Sequence, residues 1–212
     1  MRSENLAQPE LADVQIEEGG DGLSRSELLL KGALAAGAVY GAASVAPFVS
    51  RALAQSDGGD IGILNFALTL EYLESAFYAE AKRRAGATGE LKSLIDLIGK
   101  DEAEHVKALT ATIRKLGGKP VAEPRFDFPY GNTREFLELA QTFEDTGVSA
   151  YNGAAPQIKS KEVLAAAGSI VQVEARHAAA IRLQNGAEPS PGAFDPALGK
   201  AQVLKAVEPF IQ

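Results

Sequence analysis

The chain has 212 residues, 46% of them apolar, and a formal net charge of -7. That length and apolar content suit one globular domain with an accessory segment rather than a disordered chain. The acidic balance leaves no basic patch for a nucleic-acid partner, and the lack of cysteine excludes disulfides, zinc–thiolate sites, iron–sulfur clusters and thiol nucleophiles, so any metal must be held by oxygen and nitrogen donors.

Residues 1–22 are polar and acidic, carrying Glu4, Glu10, Asp13, Glu17, Glu18 and Asp21, and read as a disordered leader. From Leu28 to Val49 the chain turns rich in Ala, Gly and Leu, and Arg51-Ala52-Leu53-Ala54 then supplies a small-x-small cleavage pattern. Residues 23–54 therefore read as an export signal or an uncleaved anchor, since about 20 apolar residues span a bilayer. Ser24-Arg25-Ser26-Glu27-Leu28-Leu29-Leu30-Lys31 resembles a twin-arginine signal, with Ser26 standing where the second arginine belongs. The expected location is extracytoplasmic, with the export machinery or the membrane as the partner of this segment.

Residues 55–190 read as helix with short breaks. The first helix is expected over Ile61–Arg84 and the second over Leu91–Leu116, separated by Gly86-Ala87-Thr88-Gly89. Gly117-Gly118 and Pro120 stop the second, and residues 118–132 form an extended connection. Asn132 or Thr133 caps a third helix reaching about Gly153, and a fourth spans Lys161–Gln184. Residues 191–212 form a tail with a short helix near 197–207. The short links make two antiparallel hairpins. The middle connection, extending to about 50 Å at ~3.3 Å per residue, is long enough to run back along a whole helix. The predicted fold is all-α.

Helix two contains Glu102-Ala103-Glu104-His105 and helix four contains Glu174-Ala175-Arg176-His177. In each, a Glu and a His at i and i+3 share one face, and that face is the apolar stripe. In helix two the stripe runs Leu91, Ile95, Ile98, Glu102, His105, Leu109, Ile113; in helix four, Val163, Ala167, Ile170, Glu174, His177, Ile181. Helices one and three add Glu71 and Glu144 in the same situation. Four buried carboxylates need compensation, which two divalent cations supply, with the two imidazoles completing the donor set. Counted from Ala87, Glu71 lies 16 residues back and Glu102 15 forward, so the groups should meet near mid-bundle.

The two halves also repeat. Thr69-Leu70-Glu71 with Tyr78 seven residues later matches Thr142-Phe143-Glu144 with Tyr151 seven later, and Glu-Ala-x-His follows in both. Glu74 also faces inward, but its counterpart is Gly147, which makes Glu71 the better ligand. Tyr78 and Tyr151 read as core fillers, with a hydrogen bond to a ligand or an electron-transfer role as the catalytic alternative.

This ordered set resembles the ferritin-like superfamily of di-iron and di-manganese carboxylate four-helix bundles, in which two helices each give a Glu and the other two each give Glu-x-x-His. Asn65-Phe66-Ala67-Leu68-Thr69-Leu70-Glu71-Tyr72-Leu73-Glu74 further resembles exported bacterial ferritin-like proteins, a family that includes plant desiccation-related proteins. The resemblance covers about residues 58–184. It implies two metal ions, iron before manganese, held by Glu71, Glu102, His105, Glu144, Glu174 and His177, with Glu102 and Glu174 bridging. The implied activity is oxidation of Fe(II) with O2 or peroxide. The alternatives are a di-manganese catalase and a non-enzymatic stress or desiccation-related metal-binding protein. A small homo-oligomer stays open.

Overall fold

The computed structural model describes residues 59–212. The acidic leader and the signal or anchor expected over 1–54 lie outside the described residues. Five α-helices form among those described: α1 (Asp60–Arg84), α2 (Gly89–Lys115), α3 (Thr133–Ala154), α4 (Lys161–Gln184) and α5 (Lys200–Val207). No strand forms there; one isolated antiparallel bridge pairs Phe126 with Ile211.

Local chemistry sets the helix ends. The Asn132 side chain accepts from the Glu135 amide at 3.0 Å and caps α3, and Ser160 accepts from Val163 at 3.3 Å to cap α4. At the end of α2, Gly117 adopts φ 79°, and the Gly118 amide returns to the Ile113 carbonyl at 2.9 Å.

Contacts between helix ends fix the topology. Asp60, opening α1, accepts from the Lys159 and Ser160 amides at 2.8 and 2.7 Å, where α3 gives way to α4. At the other end of α1, the Ala85 carbonyl accepts from Thr133, which opens α3. Helix α1 is therefore antiparallel to α3 and parallel to α4, and α2 and α3 run parallel. The pairs α1/α2 and α3/α4 make the two hairpins.

The crossover returns along α1, as expected from its length. Buried Asn65 accepts from the Val121 amide at 2.7 Å and donates to the Lys119 carbonyl at 3.2 Å, satisfying crossover backbone that would otherwise be stranded. Near the far end, Arg84 donates to the Phe128 and Tyr130 carbonyls. Covered on an additional side, α1 buries Phe66, Leu68, Leu70, Leu73 and Phe77 as well as its bundle face.

The tail is structural. Residues 198–212 close over the crossover: the Leu198 amide bonds Ser149, Asp127 bonds Phe210, and Gln212 bonds Arg125. Gly153 permits this seat, because a Cβ there would collide with the Leu198 carbonyl. Val203, Leu204, Val207, Phe210 and Ile211 are all buried.

The apolar core falls into two clusters. One gathers Phe77, Tyr130, Phe136 and Phe143 toward the C-terminal end of α1; the other gathers Leu64, Leu68, Leu109, Ile113 and Val163 toward its N-terminal end. A polar layer lies between them.

Candidate metal centre

That layer contains the six residues expected from the sequence. Glu71 comes from α1, Glu102 and His105 from α2, Glu144 from α3, and Glu174 and His177 from α4. All four carboxylates are 0% exposed, and both imidazoles are buried. By contrast Lys100, Glu104, Lys107 and Arg176 are exposed.

The donor atoms converge in two groups. Glu71, Glu102, His105 and Glu174 each offer an atom within 4.8 Å of the others, and so do Glu102, Glu144, Glu174 and His177. Glu102 and Glu174 belong to both groups. Around His105, Nδ1 lies 3.2 Å from Glu71 Oε2, 3.1 Å from Glu102 Oε2 and 2.9 Å from Glu174 Oε1. Around His177, Nδ1 lies 2.9 Å from Glu102 Oε1 and 3.7 Å from Glu144 Oε2.

Several of these atoms are close without being bonded. Glu102 Oε1, Glu144 Oε2, both Glu174 oxygens and His177 Nδ1 are buried and lack hydrogen-bond partners. Such orphaned atoms are costly unless a shared cation satisfies them. Hard carboxylate oxygens with two imidazoles suit divalent iron or manganese alike.

The electrostatics agree. Burial, countered by the His105 hydrogen bond and reinforced by the Glu71 charge, pushes Glu102 up to about 8. Burial with the Glu71 and Glu102 charges pushes Glu174 up to about 8. Glu144 is also raised well above the usual carboxylate range, by burial and then by Glu174 and Glu102. Burial alone would lower His105, but the Glu102, Glu174 and Glu71 carboxylates gathered around its Nδ1 outweigh it and push the imidazole up to about 12. His177 is lowered by burial. Negative charge is thus in excess throughout the layer, the condition that bound cations relieve.

Sequence reading placed Tyr78 and Tyr151 on the core faces without finding their partners. Tyr78 donates to Glu144 Oε1 and Tyr151 to Glu71 Oε1, both at 2.5 Å and both across to the other hairpin. Asp101, adjoining Glu102, has Oδ2 3.4 Å from His177 Nε2. That contact orients the ring so that Nδ1 faces the carboxylates. Asp145, adjoining Glu144, pairs with Arg182 at 2.6 Å instead. No sequence spacing marks either choice, since both acids follow from how α2, α3 and α4 turn against one another. Glu74 is buried as well but belongs to neither group of four.

The model of the ferritin-like domain matches residues 59–187. The chain belongs to this ferritin-like family. Solved structures share the fold. A ferritin-like, diiron-carboxylate protein from Bacillus anthracis superposes with a TM-score of 0.53 at 23% identity, covering 59% of this chain and 94% of that one. A conserved hypothetical protein from Mycobacterium tuberculosis superposes with a TM-score of 0.55 at 14% identity, covering 59% and 96%. Among curated proteins nothing matches. The ferritin-like match stops before α5, so the segment that closes over the crossover lies beyond the matched domain.

Proposed function

We propose that this ferritin-like protein is exported, binds two divalent metal ions and oxidises Fe(II) with O2 or peroxide. The observation that carries the dinuclear reading is the sharing of Glu102 and Glu174 between two four-residue donor groups. Glu71 and His105 complete one position, and Glu144 and His177 the other. The diiron-carboxylate description of the Bacillus anthracis structure supports iron as the metal.

Paired redox-active cations supply a two-electron change at one place, which limits escape of one-electron oxygen radicals. With Fe(II) as substrate, two ions lose one electron each, and one peroxide takes both with two protons to give two waters. The chain's residues hold the reactants and set their surroundings. Tyr78 and Tyr151 fix the orientations of Glu144 and Glu71, and the flanking apolar clusters exclude bulk water. The export reading is supported by the apolar run from Leu28 to Val49 and the Ala52/Ala54 pattern. No helix among the described residues is long and apolar enough to cross a membrane.

The test is metal analysis of protein from its native host, followed by Fe(II) oxidation assays with O2 and with peroxide. Wild type should carry about two ions per chain and turn over Fe(II), and a Glu102→Ala/His177→Ala double variant should do neither. Fewer than one ion per chain, unchanged in the double variant, sinks the centre. Manganese with rapid oxygen evolution from peroxide replaces the ferroxidase reading with a catalase. Bound metal without turnover of Fe(II) or peroxide replaces it with a structural role. Unprocessed protein confined to the cytoplasm removes the export part.

A further inference from the structure

Glu74 is a fifth carboxylate in the same buried layer, 3% exposed and outside both donor groups. It stands three residues after Glu71 and four before Tyr78, whose hydroxyl reaches Glu144. Along the core face of α1 it therefore lies between a donor of one group and a contact to the other. Helix α3, running the opposite way, carries Gly147 at the matching place, between Glu144 and Tyr151. The two halves differ here, a carboxylate facing a residue with no side chain.

The glycine makes the room. A Cβ on Gly147 would lie 2.9 Å from Glu74 Oε1 and 3.6 Å from Glu174 Oε2. Glu174 is fully buried, and its Oε2 has no hydrogen-bond partner, so an orphaned oxygen faces the same notch as the Glu74 carboxylate. The charges acting most strongly on Glu74 are those of Glu174, Glu102, Glu144 and Glu71. Two divalent ions offset four carboxylates; a fifth in the same box needs ligation or a proton.

We propose that Glu74 is the centre's seventh ligand, a carboxylate that reaches the cation pair from the α1/α3 side through the space left by Gly147. This rests on the dinuclear reading above. It joins the donor set by turning about its own side-chain torsions, and it makes the two sides of a repeated site unequal.

The test titrates the metal-free full chain with Co(II), reading stoichiometry, affinity and the ligand-field bands, which strengthen as coordination number falls. Wild type and Glu74→Gln should both take up two ions per chain. The variant should bind roughly tenfold or more weakly and show stronger bands. Gly147→Ala keeps the charge but pushes the carboxylate aside, and should show the same band change with unaltered helical circular dichroism. Unchanged bands in both variants overturn the ligand role even if Glu74→Gln loses affinity, because charge alone then explains the loss. Failure of wild type to take up two ions sinks the dinuclear centre itself.

Discussion

The Tyr78 hydroxyl donates to Glu144 at 2.5 Å, from one hairpin to a carboxylate of the other. Tyr151 returns the bond to Glu71. Each tyrosine follows its own hairpin's lone glutamate by seven residues, so two turns of antiparallel α1 and α3 bring each opposite the other's carboxylate. The hairpins are thus tied together through the polar layer.

Removing either hydroxyl should loosen that tie. Leaving a buried acceptor without its donor costs about 1–3 kcal/mol. Tyr78→Phe and Tyr151→Phe are each expected to lose that much in urea unfolding of the metal-free protein. Wild-type midpoints in both variants would show that the bonds contribute nothing.

The shared and unshared carboxylates should behave differently. Glu102 belongs to both donor groups and Glu71 to one. Glu102→Ala is expected to abolish uptake of both cations, whereas Glu71→Ala should retain one. Stoichiometric titration with Mn(II), read by electron paramagnetic resonance, checks this. Equal loss in the two variants would count against bridging by Glu102.

Without cations the protein should become less stable as pH rises. Glu102 and Glu174 are raised from 4.5 to about 8, so between those values the folded state keeps protons that the unfolded chain releases. His105, raised from 6.5 to about 12, adds stability that is complete below 6.5 and drains away above it, with the same sign. His177 is lowered by burial and opposes the trend below 6.5. Cations bind the deprotonated groups and should flatten or reverse the slope. Thermal melts in chelator at pH 5.5, 7 and 8.5 measure it, and a melting point that climbs with pH would contradict the assignment.

Truncation after residue 190 should prevent folding even though the ferritin-like match ends at 187. Five apolar side chains of the last segment are buried. At about 1.5–3 kcal/mol each on full burial, their loss rivals the ~5–15 kcal/mol that holds a whole domain together. Circular dichroism of the truncated chain checks this; a cooperative melt near wild type would show that the segment is dispensable.

The four long helices and the gathering of the six candidate donors in one layer were legible because their signals are local. Gly117-Gly118 stops α2, Asn132 caps α3, and Glu-Ala-x-His interrupts an apolar stripe at i and i+3. The repeat also favoured Glu71 over Glu74, and of the two only Glu71 falls in a group of four. Less was legible where partners are distant in sequence. The Phe126–Ile211 bridge and the Asn65 bonds to the crossover join residues whose spacing carries no periodic pattern. Asp101 and Asp145 both follow the same local rule, adjoining a donor, yet only one meets a histidine.

The closure of the crossover by residues 198–212 sets an order for biosynthesis. Helix α1, which carries Glu71, Glu74 and Tyr78, is made long before the residues that seal its surroundings. At roughly 5–20 residues per second, some seconds separate the synthesis of α1 from that of Ile211, whose bridge to Phe126 completes the cover. For most of that interval Glu174 and His177 do not yet exist, so neither donor group is complete until α4 has been made. On the dinuclear reading, the ions on offer when the layer closes are those of the compartment in which Ile211 docks against Phe126.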